Sequence, residues 1–272
     1  MARIVLIANP SASRVTPEVV AAVERALVER GRVETRLTEG RGHAVALAEE
    51  ASESADLVFV LSGDGGYNEA VNGLSGDVPV GFLPGGGTSV LPRALGLPSD
   101  PVSAAAGLHA LRRISLGRGS DGRRPGDTAY VQELLRLLVE RRGVFDPSLT
   151  VEGLGRAAFA LVANCDPYSY LGRVPLHVAP EARFELGLDL VAPIRVAPPD
   201  VARILWWLLA RPAQSRSPDV LYAHDADGLR IICDAPLPLQ VDGEDLGDVT
   251  EAVFVAERDA LAVLVPGRGR GY

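Results

Sequence analysis

Lysine is missing altogether: the 27 basic residues of this 272-residue chain are all arginine, set against 35 acidic ones for a formal charge of −8. Any phosphate held by a side chain is therefore held by a guanidinium fork rather than an ammonium. The P-loop signature, which depends on a lysine, is excluded. The acidic balance also argues against nucleic acid as a partner, because affinity for a phosphate backbone rests on clustered basic residues. Cysteine is scarce, with only Cys165 and Cys233, far apart and without CxxC or Cys/His spacing. Neither a disulfide framework nor a zinc site is expected, and a reducing cytoplasm fits. Long apolar runs are lacking too. The longest apolar helical stretch, VARILWWLLA at 201–210, contains Arg203 and is about half the length of a bilayer crossing. The opening MARIVLIANP reads as a first strand rather than the apolar segment of a signal peptide.

With 47% hydrophobic residues the chain can bury a large core. Up to about residue 117, short β-rich runs alternate with amphipathic helical stretches, the pattern of a parallel sheet covered by helices. Strands are expected at 3–9, 33–38, 56–62 and 78–84, with a fifth candidate at 112–117. The first helix is predicted to have Thr16 as N-cap and Pro17 at its first position, with Val19, Val20, Val23 and Leu27 on one face and Gly31 ending it. GHAVALAEEASES (42–54) forms the second. Gly, Arg, Pro and Asp crowd together in GRGSDGRRPGD (117–127), which places a domain boundary there: an α/β domain over 1–117 and a second domain over 118–272. A helix at 128–142 follows. Many short β runs with turn residues between them then predict a mainly antiparallel β-sandwich, interrupted by a helix at 200–211. DPYSYLG (166–172) reads as a loop, and the tail GRGRGY as disordered.

The chemistry gathers at strand ends, where an open parallel sheet binds ligands. SGDGGYNEAVNGL (62–74) follows the third strand. Gly63, Gly65 and Gly66 let the backbone turn sharply and present N–H groups to an anion, with a helix N-terminus behind them. Asp64 among them would repel a phosphate unless a divalent cation stands between, or unless it accepts a proton from a reacting hydroxyl. A second turn, PGGGTS (84–89), ends the next strand; NPSAS (9–13) ends the first and Thr38 the second. Arg14, Arg41 and Arg93 lie near these turns, either to pair with phosphate or to be solvated. His43, His109, His177 and His224 lack ligand-like spacing and read as structural. ILWWLLARP either packs on the sandwich or presents Trp206 and Trp207 to a bilayer interface or acyl chain.

NPSAS, LTEGRGHAVALA, SGDGGYNEAVNGL, PGGGTSVLPRALGLP and LQVDGEDLG, in this order, resemble the motifs of the diacylglycerol kinase catalytic domain family, which includes bacterial lipid kinases and sphingosine-type kinases and is related to NAD kinases. The resemblance implies an α/β nucleotide-binding domain followed by a β-sandwich, and ATP-dependent phosphorylation of a diacylglycerol- or sphingoid-like lipid hydroxyl. It implies ATP contacts from Asn9, Pro10, Ser11, Ala12, Ser13 and Thr38, from Gly63, Asp64, Gly65, Gly66, Tyr67, Asn68 and Glu69, and from Gly87 and Thr88. Glu244 is implied as proton acceptor, with Asp242 and Asp64 as further acidic groups and Mg²⁺ screening the phosphates. The expected partners are ATP and a lipid, met by a cytoplasmic protein at the membrane surface, with a homodimer allowed. Where relatives carry an Asp of a secondary Mg²⁺ network, this chain has Leu186. Two other readings share the motifs: a kinase for a soluble substrate such as NAD, and a nucleotide-binding regulatory module without catalysis.

Overall fold

A computed structural model describes residues 1–75, 77–119, 144–241 and 244–267. The chain separates into two compact units, Met1–Ile114 together with Asp259–Tyr272, and Ser115–Arg258. The helix expected at 128–142 and the tail lie outside the described residues.

The first unit alternates β1 (Ala2–Ala8), α1 (Pro17–Val28), β2 (Gly31–Leu37), α2 (His43–Ser54), β3 (Leu57–Ser62), α3 (Asp64–Gly73), β4 (Val80–Pro84), α4 (Val90–Ala94) and α5 (Pro101–Gly107). β1 pairs in parallel with both β2 and β3, and β3 with β4. All four strands thus point their carboxyl ends to one edge. The apolar runs of β1, β3 and β4 are buried almost throughout, as strands covered by helices on both faces must be. Thr16 caps α1, its hydroxyl accepting from the Val19 N–H at 3.4 Å. That helix stops at Val28, short of the predicted end, because Gly31 already belongs to β2. A Cβ on Gly31 would stand 2.2 Å from the Ala2 carbonyl oxygen, so the strand pairing itself requires the glycine. Asp100 caps α5 through the Ser103 N–H at 2.7 Å, a helix the sequence pattern had not declared.

β5 (Leu108–Gly119) leads from the first unit into the second. There follow β6 (Leu149–Val151), β7 (Gly155–Ala157), β8 (Leu161–Ala163), β9 (Ser169–Leu171), β10 (Val174–Leu176), β11 (Leu188–Pro193), α6 (Pro198–Leu209), β12 (Val220–Ala226), β13 (Gly228–Val241) and β14 (Glu244–Pro266). β13 pairs antiparallel with β14 and β6, and β6 with β7; a second antiparallel sheet runs β12-β11-β8. The inward residues of both sheets meet in one core: Leu149, Val151, Leu229, Ile231 and Phe254 from one, Leu188, Leu190 and Ala192 from the other. That is the expected sandwich, two sheets whose inward residues share one core. The opposite face of β11 contributes Val191 to another cluster with Leu161, Tyr168 and Val178, against which Leu208 of α6 packs. The stretch read as a loop at 166–172 instead contains β9, paired antiparallel with β10 through Leu171 and Val174. β14 runs on into the first unit, where Val263 pairs in parallel with Val80 of β4.

Candidate nucleotide site

The answer to why glycines crowd behind β3 lies first in packing. The Gly63 carbonyl accepts from the Gly66 and Tyr67 N–H groups at 3.0 and 3.1 Å, closing the turn that starts α3. A Cβ on Gly66 would fall 2.0 Å from the Ser62 hydroxyl oxygen, and one on Gly86 would fall 2.8 Å from the Gly63 Cα. The two glycine-rich turns are thus pressed backbone to backbone. The Gly85 N–H donates to the Ser62 carbonyl at 2.7 Å, and the Tyr67 hydroxyl reaches down to the Leu83 carbonyl at 2.7 Å. Tyr67 itself is buried, its ring edge-on to Phe82 with centroids 5.5 Å apart, and its phenol is pushed up in pKa by desolvation.

Asp64 ties the same turns from the other side. Its Oδ1 accepts the Val90 N–H at 2.7 Å, capping α4, whose preceding residue Ser89 sits in the left-handed region at φ 48°. Ser89 supports this with a 3.2 Å bond to the Gly86 backbone N–H. Burial pushes the Asp64 carboxyl up in pKa, while the backbone N–H groups of residues 89–91 pull it down.

The turn after β1 joins this cluster. The Asn9 N–H donates to the Leu61 carbonyl at 3.0 Å and its Oδ1 accepts from the Ser11 N–H at 2.9 Å. The Arg14 N–H donates to the Gly85 carbonyl at 2.9 Å, and the Thr38 N–H at the end of β2 donates to the Ala8 carbonyl at 2.9 Å. Pro10, Ser11, Ser13, Gly65, Gly87 and Thr88 line the exposed side of these turns, with Asn9, Ala12, Gly63, Gly66, Asn68 and Glu69 partly covered and Thr38 buried. Ser62 opens the SGDGG motif but is not among the ATP contacts that the resemblance implies. Its hydroxyl is buried at the foot of the turn and has no hydrogen-bond partner among the described residues. Only its place as the last residue of β3 could have flagged it.

The acidic turn behaves differently. Asp242 lies outside the described residues. Glu244 opens β14, paired with Val241, and its side chain also lies outside the described residues. No group of three or more His, Cys, Asp or Glu side chains arranged to hold a metal occurs among the described residues. The histidines serve structure: His43 Nδ1 accepts from the Glu39 N–H at 3.0 Å, His177 binds Asp166 at 2.8 Å, and His224 binds the fully buried Asp189 at 2.9 Å. His109 lies 3.5 Å from the Arg30 guanidinium.

Glycine-rich turns packed together at the carboxyl edge of a parallel sheet occur in many folds, and similarity to known sequences narrows the choice. Residues 3–118 match the diacylglycerol kinase catalytic domain model. An alignment 177 positions long, covering 52% of the chain, is 30% identical to a protein of Staphylococcus haemolyticus (strain JCSC1435) named as a lipid kinase; the match spans 57% of that relative's length. The fold follows a diacylglycerol kinase from Bacillus anthracis str. Sterne over 97% of both chains, with a TM-score of 0.78 at 19% identity. An NAD kinase from Archaeoglobus fulgidus, solved in complex with ATP, superposes with a TM-score of 0.50 at 14% identity, covering 98% of this chain and 94% of its own. Both likenesses concern the fold. No described helix is long and apolar enough to cross a membrane.

Proposed function

We propose that the protein is an ATP-dependent lipid kinase, transferring the terminal phosphoryl group of ATP to the hydroxyl of a diacylglycerol- or sphingoid-like lipid. The observation that carries this reading is the hydrogen-bonded cluster of the Asn9, Gly63 and Gly85 turns at the carboxyl edge of the sheet, inside the segment that matches the family model. Backbone N–H groups of Ser13, Gly65, Gly87 and Thr88 cradle the phosphates, while those of Ser11, Ala12 and Gly66 hold the turns together, and no lysine is needed for this. The donors are fixed before the nucleotide arrives, because each turn is held by its neighbours, and phosphoryl transfer is mostly positioning and charge neutralisation. Asp64 holds α4 against the first turn and so acts on the cradle's shape. Asn9 and the buried Ser62 hydroxyl supply polar groups beneath it. A divalent cation such as Mg²⁺, carried in on the triphosphate, would supply charge neutralisation at the phosphate oxygens. In the transfer, the bond from the lipid oxygen to phosphorus forms, ADP leaves, and Glu244 takes the hydroxyl proton, with Asp242 beside it in sequence.

The test is transfer of labelled phosphate from Mg-ATP to a mixed lipid extract, with a parallel lipid-free reaction containing NAD. Labelled lipid is expected, and E244Q should reduce its formation by about 10²- to 10⁴-fold while calorimetry still detects nucleotide binding. Labelled NAD alone would select the soluble-substrate reading, and nucleotide binding with no turnover would select the regulatory one.

A further inference from the structure

Helix α6 is apolar on two faces and buried on neither. Val201 and Ile204 lean on Phe145, Ala158 and Val196, and Leu208 leans on the cluster around Val178. The opposite stripe, Ala202, Leu205, Trp206 and Leu209, follows i, i+3, i+4, i+7 spacing and faces out, with Leu205 37%, Trp206 61% and Leu209 41% exposed. A helix apolar all round is ordinarily enclosed by protein or lipid. Beside its last turn lies the β9–β10 hairpin, tied there by the His177 N–H donating to the Leu208 carbonyl at 2.8 Å. The hairpin tip is Leu171, Gly172, Arg173 and Val174, all exposed, Leu171 by 63% and Val174 by 45%.

Charge says what covers this surface. Residues 169–176 and 201–212 contain Arg173, Arg203 and Arg211 and no acidic residue, within a chain of net charge −8. Arg203 is spoken for: it lies 4.9 Å over the Trp207 ring and pairs with Asp200 and Asp219, each at 2.9 Å. Arg211 follows the apolar stripe directly in sequence and Arg173 sits at the hairpin tip, both exposed cations. An exposed Trp with aliphatic neighbours and arginines at the margin matches the layered chemistry of an anionic lipid surface, apolar inside and negative at the headgroups.

We infer that the outer face of α6 and the tip of the β9–β10 hairpin form an interfacial docking surface for anionic lipid bilayers. The choice of a lipid surface over a second copy of the chain rests partly on the lipid-kinase reading, whose acceptor resides in such a bilayer. Binding without turnover separates the two claims. Sedimentation with vesicles of phosphatidylcholine containing phosphatidylglycerol, in low salt and without nucleotide, should carry the protein down, and pure phosphatidylcholine should carry much less. Trp206 and Trp207 are the only tryptophans, so their emission should shift to the blue and be quenched by brominated acyl chains. W206S/L209S should weaken partitioning by about tenfold or more. R173E, at a separate element, should remove the preference for phosphatidylglycerol. Absence of vesicle binding, or binding undiminished in both variants, overturns the proposal. So does a dimer seen by light scattering that W206S dissociates without affecting vesicles. Phosphate transfer to a short-chain, monomer-soluble diacylglycerol is measured separately and should be unchanged in W206S/L209S, so docking and kinase readings can fail independently.

Discussion

Gly86 and Gly87 are adjacent and chemically identical, yet their surroundings differ. A methyl on Gly86 meets the Gly63 Cα at 2.8 Å, backbone against backbone, whereas one on Gly87 meets nothing within 4 Å. G86A should therefore cost about 1–3 kcal/mol, since one of the turns must move, and G87A should stay within about 0.5 kcal/mol. Urea unfolding of the two variants checks this, and equal midpoints would refute the close approach. Both glycines were visible in the sequence as parts of a phosphate-type turn. Which of them is sterically obliged was not, because the obstacle is Gly63, on a different strand. The burial of the Ser62 hydroxyl is hidden for the same reason: a serine at a strand end is unremarkable until neighbouring segments enclose it.

At the level of elements, α3 and α4 are coupled through one carboxylate. Asp64, the first residue of α3, caps the first N–H of α4, and burial raises its pKa above the usual carboxylate range. A folded-state pKa above the unfolded one means the folded protein holds the proton more tightly. The stabilisation is then complete below the unfolded pKa, about 3.9, and is lost as pH rises through the folded value. D64N keeps an acceptor for Val90 but cannot ionise. Its stability relative to the wild type should rise as the pH climbs above about 4 and level off once the pH exceeds the folded-state pKa. D64A strips the acceptor and should lose about 1–3 kcal/mol across the range; chemical denaturation at several pH values measures both. Local signals located α1 and α2 well, since caps and helical spacing are short-range. They missed β9, because Ser169–Leu171 is a strand only by virtue of the hairpin partner Val174–Leu176.

For the whole molecule, the last strand matters most. Leu261, Ala262, Val263 and Leu264 are buried, and Val263 pairs with Val80 at the end of the first unit's sheet. A fragment ending at residue 119 would leave β4 without this neighbour. It should unfold at a lower temperature than the full chain and aggregate through the open edge, which thermal scanning with light scattering would detect. The sequence alone determined the class of each half and the identity of the turn residues. Apolar alternation, capping and glycine clusters act over a few residues, and the family's motifs are contiguous words. Only the tertiary structure decided that those turns lock one another, that Asp64 serves a neighbouring helix, that α6 carries an exposed apolar stripe, and that the final strand returns to the first unit. Each of these is a contact between segments far apart in the chain, where no local periodicity carries information about distance in space.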